Sequence, residues 1–320
     1  MTTAPPAPSR SRNRSYLLAL KVTVTVGAFA YLLSRQSLSD LGQALTAMSP
    51  FAVGLAIAVQ LFSLGVGAVR WRTLMAAYGA RVRPSLQRLF RVYLVGYFYN
   101  TYLPFAVGGD VMRGVVSKNA FGERGATKGV AVVFVERALG LAAVLGITAI
   151  AVLLDGGAHF DRRLIGYCVA GLVGVALVIA LLAQGRRVAP YLPSFASYVL
   201  SSLPSLESPA RFAAAAALSG VTQGLVSLCG YLLVSSVWPS STPWDSLLAM
   251  PLAAAASFFP LSVAGIGARD VALVALYGLL GVPRAQGTAT AIAYLSVCLI
   301  VAGLGGLSQL LAPLSAEAES

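Results

Sequence analysis

A single histidine, three cysteines and eleven acidic residues are spread over 320 positions, and only 11% of the chain is charged. That poverty excludes most soluble chemistry. Cys168, Cys229 and Cys298 all stand in apolar segments without metal-ligand spacing, so neither a disulfide framework nor a zinc site is expected and they read as small core residues. His159 falls in a polar turn at 155–163 and reads as a loop residue. No metalloprotease helix, Walker loop or nucleophile elbow occurs, and Gly108-Gly109-Asp110 and Gly265-Ile266-Gly267 lack the strand-to-helix setting of a nucleotide fingerprint. No cofactor or metal is expected, an enzyme is disfavoured, and so is ATP-driven transport by this chain alone.

Apolar sequence is what the chain has in quantity: 58% of its residues are hydrophobic and the mean hydropathy is +0.79. Uncharged runs fill 41–69, 92–109, 164–185, 212–244, 246–268 and 285–316, several of them longer than the roughly 20 residues that cross about 30 Å of hydrocarbon. The expected fold is all-α, a polytopic integral membrane protein with about 7–9 hydrophobic segments. Arg10, Arg12 and Arg14 precede the first of these, which begins near Tyr16; without a small-residue cleavage site it reads as an uncleaved first span rather than a signal peptide. The formal net charge of +12 raises nucleic acid as a partner, but the basic residues cluster between hydrophobic segments and no nucleic-acid motif accompanies them. Arg70, Arg72, Arg81, Arg83, Arg88 and Arg91 form one acid-free cluster, and Arg113, Lys118, Arg124 and Lys128 another. Both are expected as cytoplasmic loops facing anionic headgroups, in a cell inner (cytoplasmic) membrane with the N-terminus cytoplasmic.

Helices are expected at 16–34, 50–69, 129–154, 163–183, 211–235 and 286–312, with an interrupted segment at 89–107 and short ones at 246–260 and 270–281. Residues 1–14 read as a disordered cytoplasmic N-terminus, 15–312 as the transmembrane domain and 313–320 as a short tail. A Pro- and Ser-rich linker at 188–210 suggests a two-half arrangement of 15–187 and 211–312. Each half holds one break: Pro104 with Gly108 and Gly109 in the first, Pro260 with Gly265 and Gly267 in the second. Helix breakers at membrane depth are tolerated where protein or a water-filled cavity satisfies the freed backbone, and paired interrupted segments in matching positions point to a transport site. The two breaks are therefore expected to be interrupted or re-entrant, in an inverted arrangement.

Charges inside such segments are costly and face a cavity, a partner or the interface. Asp110 and Arg113 are three apart, on one face of a helix starting at Gly109, where they fit either a headgroup site or a helix cap. Arg269 and Asp270 follow Gly267 at the start of another short helix and fit either a phosphate site or a structural ion pair. Glu136 and Arg137 interrupt an apolar helix and, as neighbours, must have different partners: Glu136 an arginine of an interrupted segment, Arg137 a headgroup or the interface. Asn100 and Tyr97 precede the first break with Tyr99 and Tyr102, whose hydroxyls fit one side of a pocket or an aromatic belt.

Arg70-Trp71-Arg72, Asn100 through Pro104, Gly108-Gly109-Asp110 with Arg113, Val135-Glu136-Arg137 with Gly140, and Pro260 through Gly265-Ile266-Gly267 with Arg269-Asp270 occur in an order that resembles the membrane region of the lysylphosphatidylglycerol synthetase/flippase family, over roughly residues 15–312. The resemblance implies translocation of a phospholipid or lipid-linked headgroup between leaflets by a stand-alone member lacking the soluble synthase domain, with a separate lipid-modifying enzyme as a partner. Asp270 stands where the family pattern more often has glutamate. The expected substrate-binding residues are Asn100, Asp110, Arg113, Glu136, Arg137, Arg269 and Asp270, with Arg113 and Arg269 on the phosphate. The competing readings are a small-solute or ion-coupled secondary transporter and a non-transporting scaffold for a lipid-modifying enzyme.

Overall fold

A computed structural model describes residues 37–82, 84–102, 108–122, 125–183, 205–255 and 267–314, with isolated positions between 23 and 34 and at 197. Residues 1–14, most of the expected first helix at 16–34, most of the 188–210 linker, the end of the tail, and Pro104, Pro260 and Gly265 lie outside the described residues.

Among the described residues every regular element is helical: α1 Leu38–Ala47, α2 Pro50–Ala77, α3 Leu86–Tyr102, α4 Gly108–Val116, α5 Gly125–Asp155, α6 Arg163–Ala183, α7 Pro209–Val237, α8 Pro243–Ala255, α9 Ala268–Leu279 and α10 Arg284–Leu311, with a 3₁₀ turn at Lys118–Ala120. The chain is a polytopic α-helical membrane protein in which α2, α5, α6, α7 and α10 are long and apolar enough to cross a bilayer. The starts of two of these have a local cause. Ser49-Pro50 and Ser208-Pro209 each place a serine at the N-cap, accepting from the backbone N–H of Ala52 and Arg211, and a proline in the first turn, where its missing donor costs nothing.

Two helices thought to end at a charge run straight through it. The expected 50–69 helix continues as α2 to Ala77, so Arg70 and Arg72 are helical rather than part of a basic loop, and Arg88 and Arg91 belong to α3. Arg113 is likewise buried in α4, and Lys128 lies inside α5. The physical reason is that arginine is a good helix former, and a guanidinium can enter an apolar interior when a carboxylate from a distant segment meets it.

α2 and α7 pack along each other more extensively than any other pair, α10 lies on α3 and touches both, and α5 joins α4, α7 and α8. The interior along this central pair is layered. At one end Ala56 of α2 and Cys229, Leu233 and Val234 of α7 enter an apolar cluster with Met250, Tyr277 and Val297. At the other, Ala68, Trp71 and Leu74 of α2 and Ala215 of α7 join Leu89, Val92, Val132 and Val135. Between the clusters both helices turn polar, with Gln60 and Ser63 on α2 and Ser219, Thr222 and Gln223 on α7, and Arg70 joins them from within the second cluster's stretch of α2. By contrast α6 packs chiefly on α5, and Cys168 is its single buried residue over 163–180.

A candidate substrate site between two apolar clusters

The polar layer contains a cavity of about 320 Å³ lined by residues of α2, α3, α4, α5, α7, α8, α9 and α10. Its charged wall is built from four helices around Glu136. Glu136, 2% exposed, accepts at Oε1 from Arg70 Nη2 at 2.7 Å, Arg70 Nε at 3.2 Å and the Tyr93 hydroxyl at 2.9 Å, and at Oε2 from Arg113 Nη2. Arg70 Nη1 donates to Ser219 Oγ and Thr222 Oγ1, both at 3.3 Å, so α7 is tied into the same cluster. The Arg113 guanidinium lies over the rings of Tyr93, at 4.0 Å, and Trp71, at 4.6 Å, which gives its remaining face an aromatic partner.

From Arg113 the chain of charges continues outward. Asp110 lies 3.6 Å from Arg113 Nη1, accepts from Asn100 Nδ2 at 3.2 Å, and meets Arg137 at 2.8 Å from Nε and 2.7 Å from Nη2. Asn100 also accepts from the Gly109 backbone N–H at 3.0 Å, so one amide of α3 fixes both the first turn of α4 and its carboxylate. That first turn must be glycine: a Cβ at Gly109 would collide with the carbonyl of Gly96 in α3. Arg137, at the outer end of this chain, keeps 50% of its side-chain surface.

A second charged element borders the same cavity. Gly267, at φ +94°, caps α9, and its backbone N–H donates to Asp270 Oδ2 at 2.9 Å. A positive φ of this kind favours glycine. Asp270 Oδ1 accepts from Arg269 Nη2 at 2.9 Å and Nε at 3.1 Å. Arg269 stacks on Tyr294 at 4.8 Å and directs Nη1 toward Cys298 Sγ at 3.8 Å. Among the described residues, no group of His, Cys, Asp and Glu could hold a metal ion.

The structure thus brings Asp110, Arg113, Glu136 and Arg137 into one ion-pair chain, fixed at Asp110 by Asn100, and lines the same cavity with Arg269, whose carboxylate partner is Asp270. Glu136 does pair with an arginine beside the first break, and Asp110 and Arg113 do share a face. Arg113 is enclosed by two carboxylates and two rings, while Arg137 finds its partner in Asp110. Tyr99 and Tyr102 do not form one side of this cavity: Tyr102 donates to the Leu299 carbonyl at 3.1 Å, Tyr99 lines a separate pocket, and Tyr97 is the tyrosine of that stretch that lines the central one. Arg70, Tyr93, Gln60 and Gln223 were not among the expected site residues.

The model of the family described as lysylphosphatidylglycerol synthase TM region matches residues 18–306, and no curated protein matches the chain. The chain belongs to this family.

Proposed function

We propose, from that membership and from the charged cavity, that the protein translocates a phospholipid or lipid-linked headgroup between the two leaflets of a cell inner membrane. The observation that carries the site assignment is the pair Arg137 and Arg269, two guanidiniums on different helices that line one cavity at the polar layer of an otherwise apolar bundle. Ionisable groups in such segments mark substrate pathways, and a planar guanidinium suits phosphate oxygens. A volume of about 320 Å³ is at the small end of the ~300–1,000 Å³ range of ligand pockets; it suits a headgroup whose acyl chains stay in the bilayer.

In this reading Arg137 and Arg269 hold the phosphate, and Arg70, Glu136, Arg113 and Asp110 hold the helices that present them. Arg113 moves from phosphate ligand to positioning residue because its Nη2 and Nη1 already face Glu136 and Asp110, and only its buried Nε is left without a partner among the described residues. The short helices α4 and α9 follow the two Pro/Gly breaks in the chain and carry Arg113 and Arg269 to the cavity; the N-terminus and basic clusters face the cytoplasm and its anionic lipids, and a separate lipid-modifying enzyme supplies the substrate. A non-transporting scaffold has no use for a guanidinium-lined void.

The test is leaflet exchange of labelled phospholipids in proteoliposomes, comparing the native protein with Arg137→Ala and Arg269→Ala. Each variant leaves its carboxylate a second partner: Asn100 and Arg113 for Asp110, the Gly267 N–H for Asp270. Both are therefore expected to fold and to lose exchange by about tenfold or more, the worth of one charge-assisted hydrogen bond. Exchange at the native rate in both folded variants would sink the assignment.

A further inference from the structure

The charges of the cavity are not evenly spent. Each of its carboxylate oxygens is already taken: Glu136 by Arg70, Tyr93 and Arg113, Asp110 by Asn100 and Arg137, Asp270 by Arg269 and the Gly267 N–H. The donors are not. Arg137 Nη1 has no partner among the described residues, and Arg269 Nη1 has only a thiol at 3.8 Å. Four arginines, Arg70, Arg113, Arg137 and Arg269, stand against three carboxylates, which leaves one positive charge; residues 103–107 and 256–266, beside the site in sequence, contain no ionisable side chain. An entering ammonium would find no free carboxylate and an excess of like charge. A single negative charge would neutralise the site.

The other wall is neutral and unsatisfied. Gln60 and Gln223 line the cavity, Gln60 is 5% exposed, and the side-chain carbonyl oxygen of each is buried without a hydrogen-bond partner. A buried acceptor left unpaired costs about 1–3 kcal/mol, which a donor brought by the ligand removes. Ser63, beside Gln60 on α2, lines the same cavity. An amide pair offers oxygens to hydroxyls and nitrogens to further oxygens, with no charge to favour an ammonium.

We infer that the cavity selects a lipid whose head is a singly charged phosphodiester bearing an uncharged, hydroxyl-rich group, with Arg137 and Arg269 on the phosphate and Gln60 and Gln223 on the hydroxyls. The lipid part of this statement rests on the translocation reading above, whereas the head chemistry rests on the cavity alone. Cationic aminoacyl heads are discriminated against, and zwitterionic heads fall between.

Binding to the purified full-length protein, read by native mass spectrometry and thermal stabilisation, separates the heads at constant acyl chains. Phosphatidylglycerol is expected to bind about tenfold or more above phosphatidylethanolamine and further above lysylphosphatidylglycerol; equal or reversed order overturns the charge argument. Phosphatidylmethanol has the same phosphodiester charge without hydroxyls. In Gln60→Leu/Gln223→Leu, phosphatidylglycerol is expected to drop to the level of phosphatidylmethanol while phosphatidylmethanol keeps its native affinity, and an unchanged ratio between them overturns the role of the amides. Gln223→Glu is the second variant, placing a carboxylate in the cavity and cancelling the excess charge. It is expected to shift the phosphatidylglycerol-to-phosphatidylethanolamine ratio about tenfold toward the zwitterion, and an unshifted ratio counts against the inference. Deacylated glycerophosphoglycerol binding as tightly as the lipid would replace a lipid substrate with a solute. Leaflet exchange is scored separately: the expected binding order without exchange defeats translocation and leaves the head chemistry standing, and exchange with no order among heads does the reverse.

Discussion

Glu136 and Arg137 are adjacent in sequence and opposite in consequence. Glu136 is the shared counter-ion of two buried arginines, so Glu136→Gln leaves both short of charge and is expected to destabilise the fold by about 3–5 kcal/mol, as breaking a buried pair does. Arg137 is half exposed, so Arg137→Gln is expected to change stability by no more than about 1 kcal/mol while lowering exchange by about tenfold or more. Thermal unfolding in detergent set beside the transport rate separates them; equal losses of stability would contradict the geometry. Both residues were legible in the sequence because a charge within an apolar run announces itself. Arg70 was not: it stands at the edge of a hydropathy plateau next to Arg72, which is also how a positive-inside loop looks, and its partner lies 66 residues away. Gln60 and Gln223 escaped for a different reason, since uncharged amides leave no mark on a charge pattern. An amide in the middle of an apolar helix was the only available signal.

At the level of elements, the long helices could be read from composition because length and hydropathy determine them locally. Their ends were less legible, since a helix that buries a paired arginine does not stop where hydropathy falls. Close approaches set the short helices. A methyl group at Gly109 would press on the Gly96 backbone, which cannot swing away as a side chain would, so Gly109→Ala is expected to push α4 off α3 at a cost of about 1–3 kcal/mol and to loosen the Asn100 clamp on Asp110. Gly267→Ala forces a side chain into a positive-φ turn, again at about 1–3 kcal/mol, and is expected to disturb the orientation of Arg269 against Tyr294. Hydrogen exchange is the check: faster exchange confined to α4 in the first variant and α9 in the second is the expected pattern, and unchanged protection in either would refute the packing argument.

Across the whole molecule, burial is concentrated along α2, α5, α7 and α10 and nearly absent from α6. Leu233, fully buried on α7, is expected to cost about 2–5 kcal/mol on Leu233→Ala, whereas Val173→Ala on the outer face of α6 is expected to stay within about 0.5 kcal/mol, measurable as paired unfolding midpoints. That contrast was invisible in composition, because a lipid-facing helix and a buried one are equally apolar. The ion-pair chain has a further consequence for how the protein is made. An arginine at the centre of an inserting helix costs about 2.5–3.5 kcal/mol, and α5 carries both Glu136 and Arg137. Yet Arg70, Tyr93, Asn100, Asp110 and Arg113 all precede them in the chain. When α5 leaves the ribosome its counter-charges have already been synthesised, so the order of translation supplies the partners of α5 before α5 itself, and Arg70 and Arg113 wait for the helix that completes them.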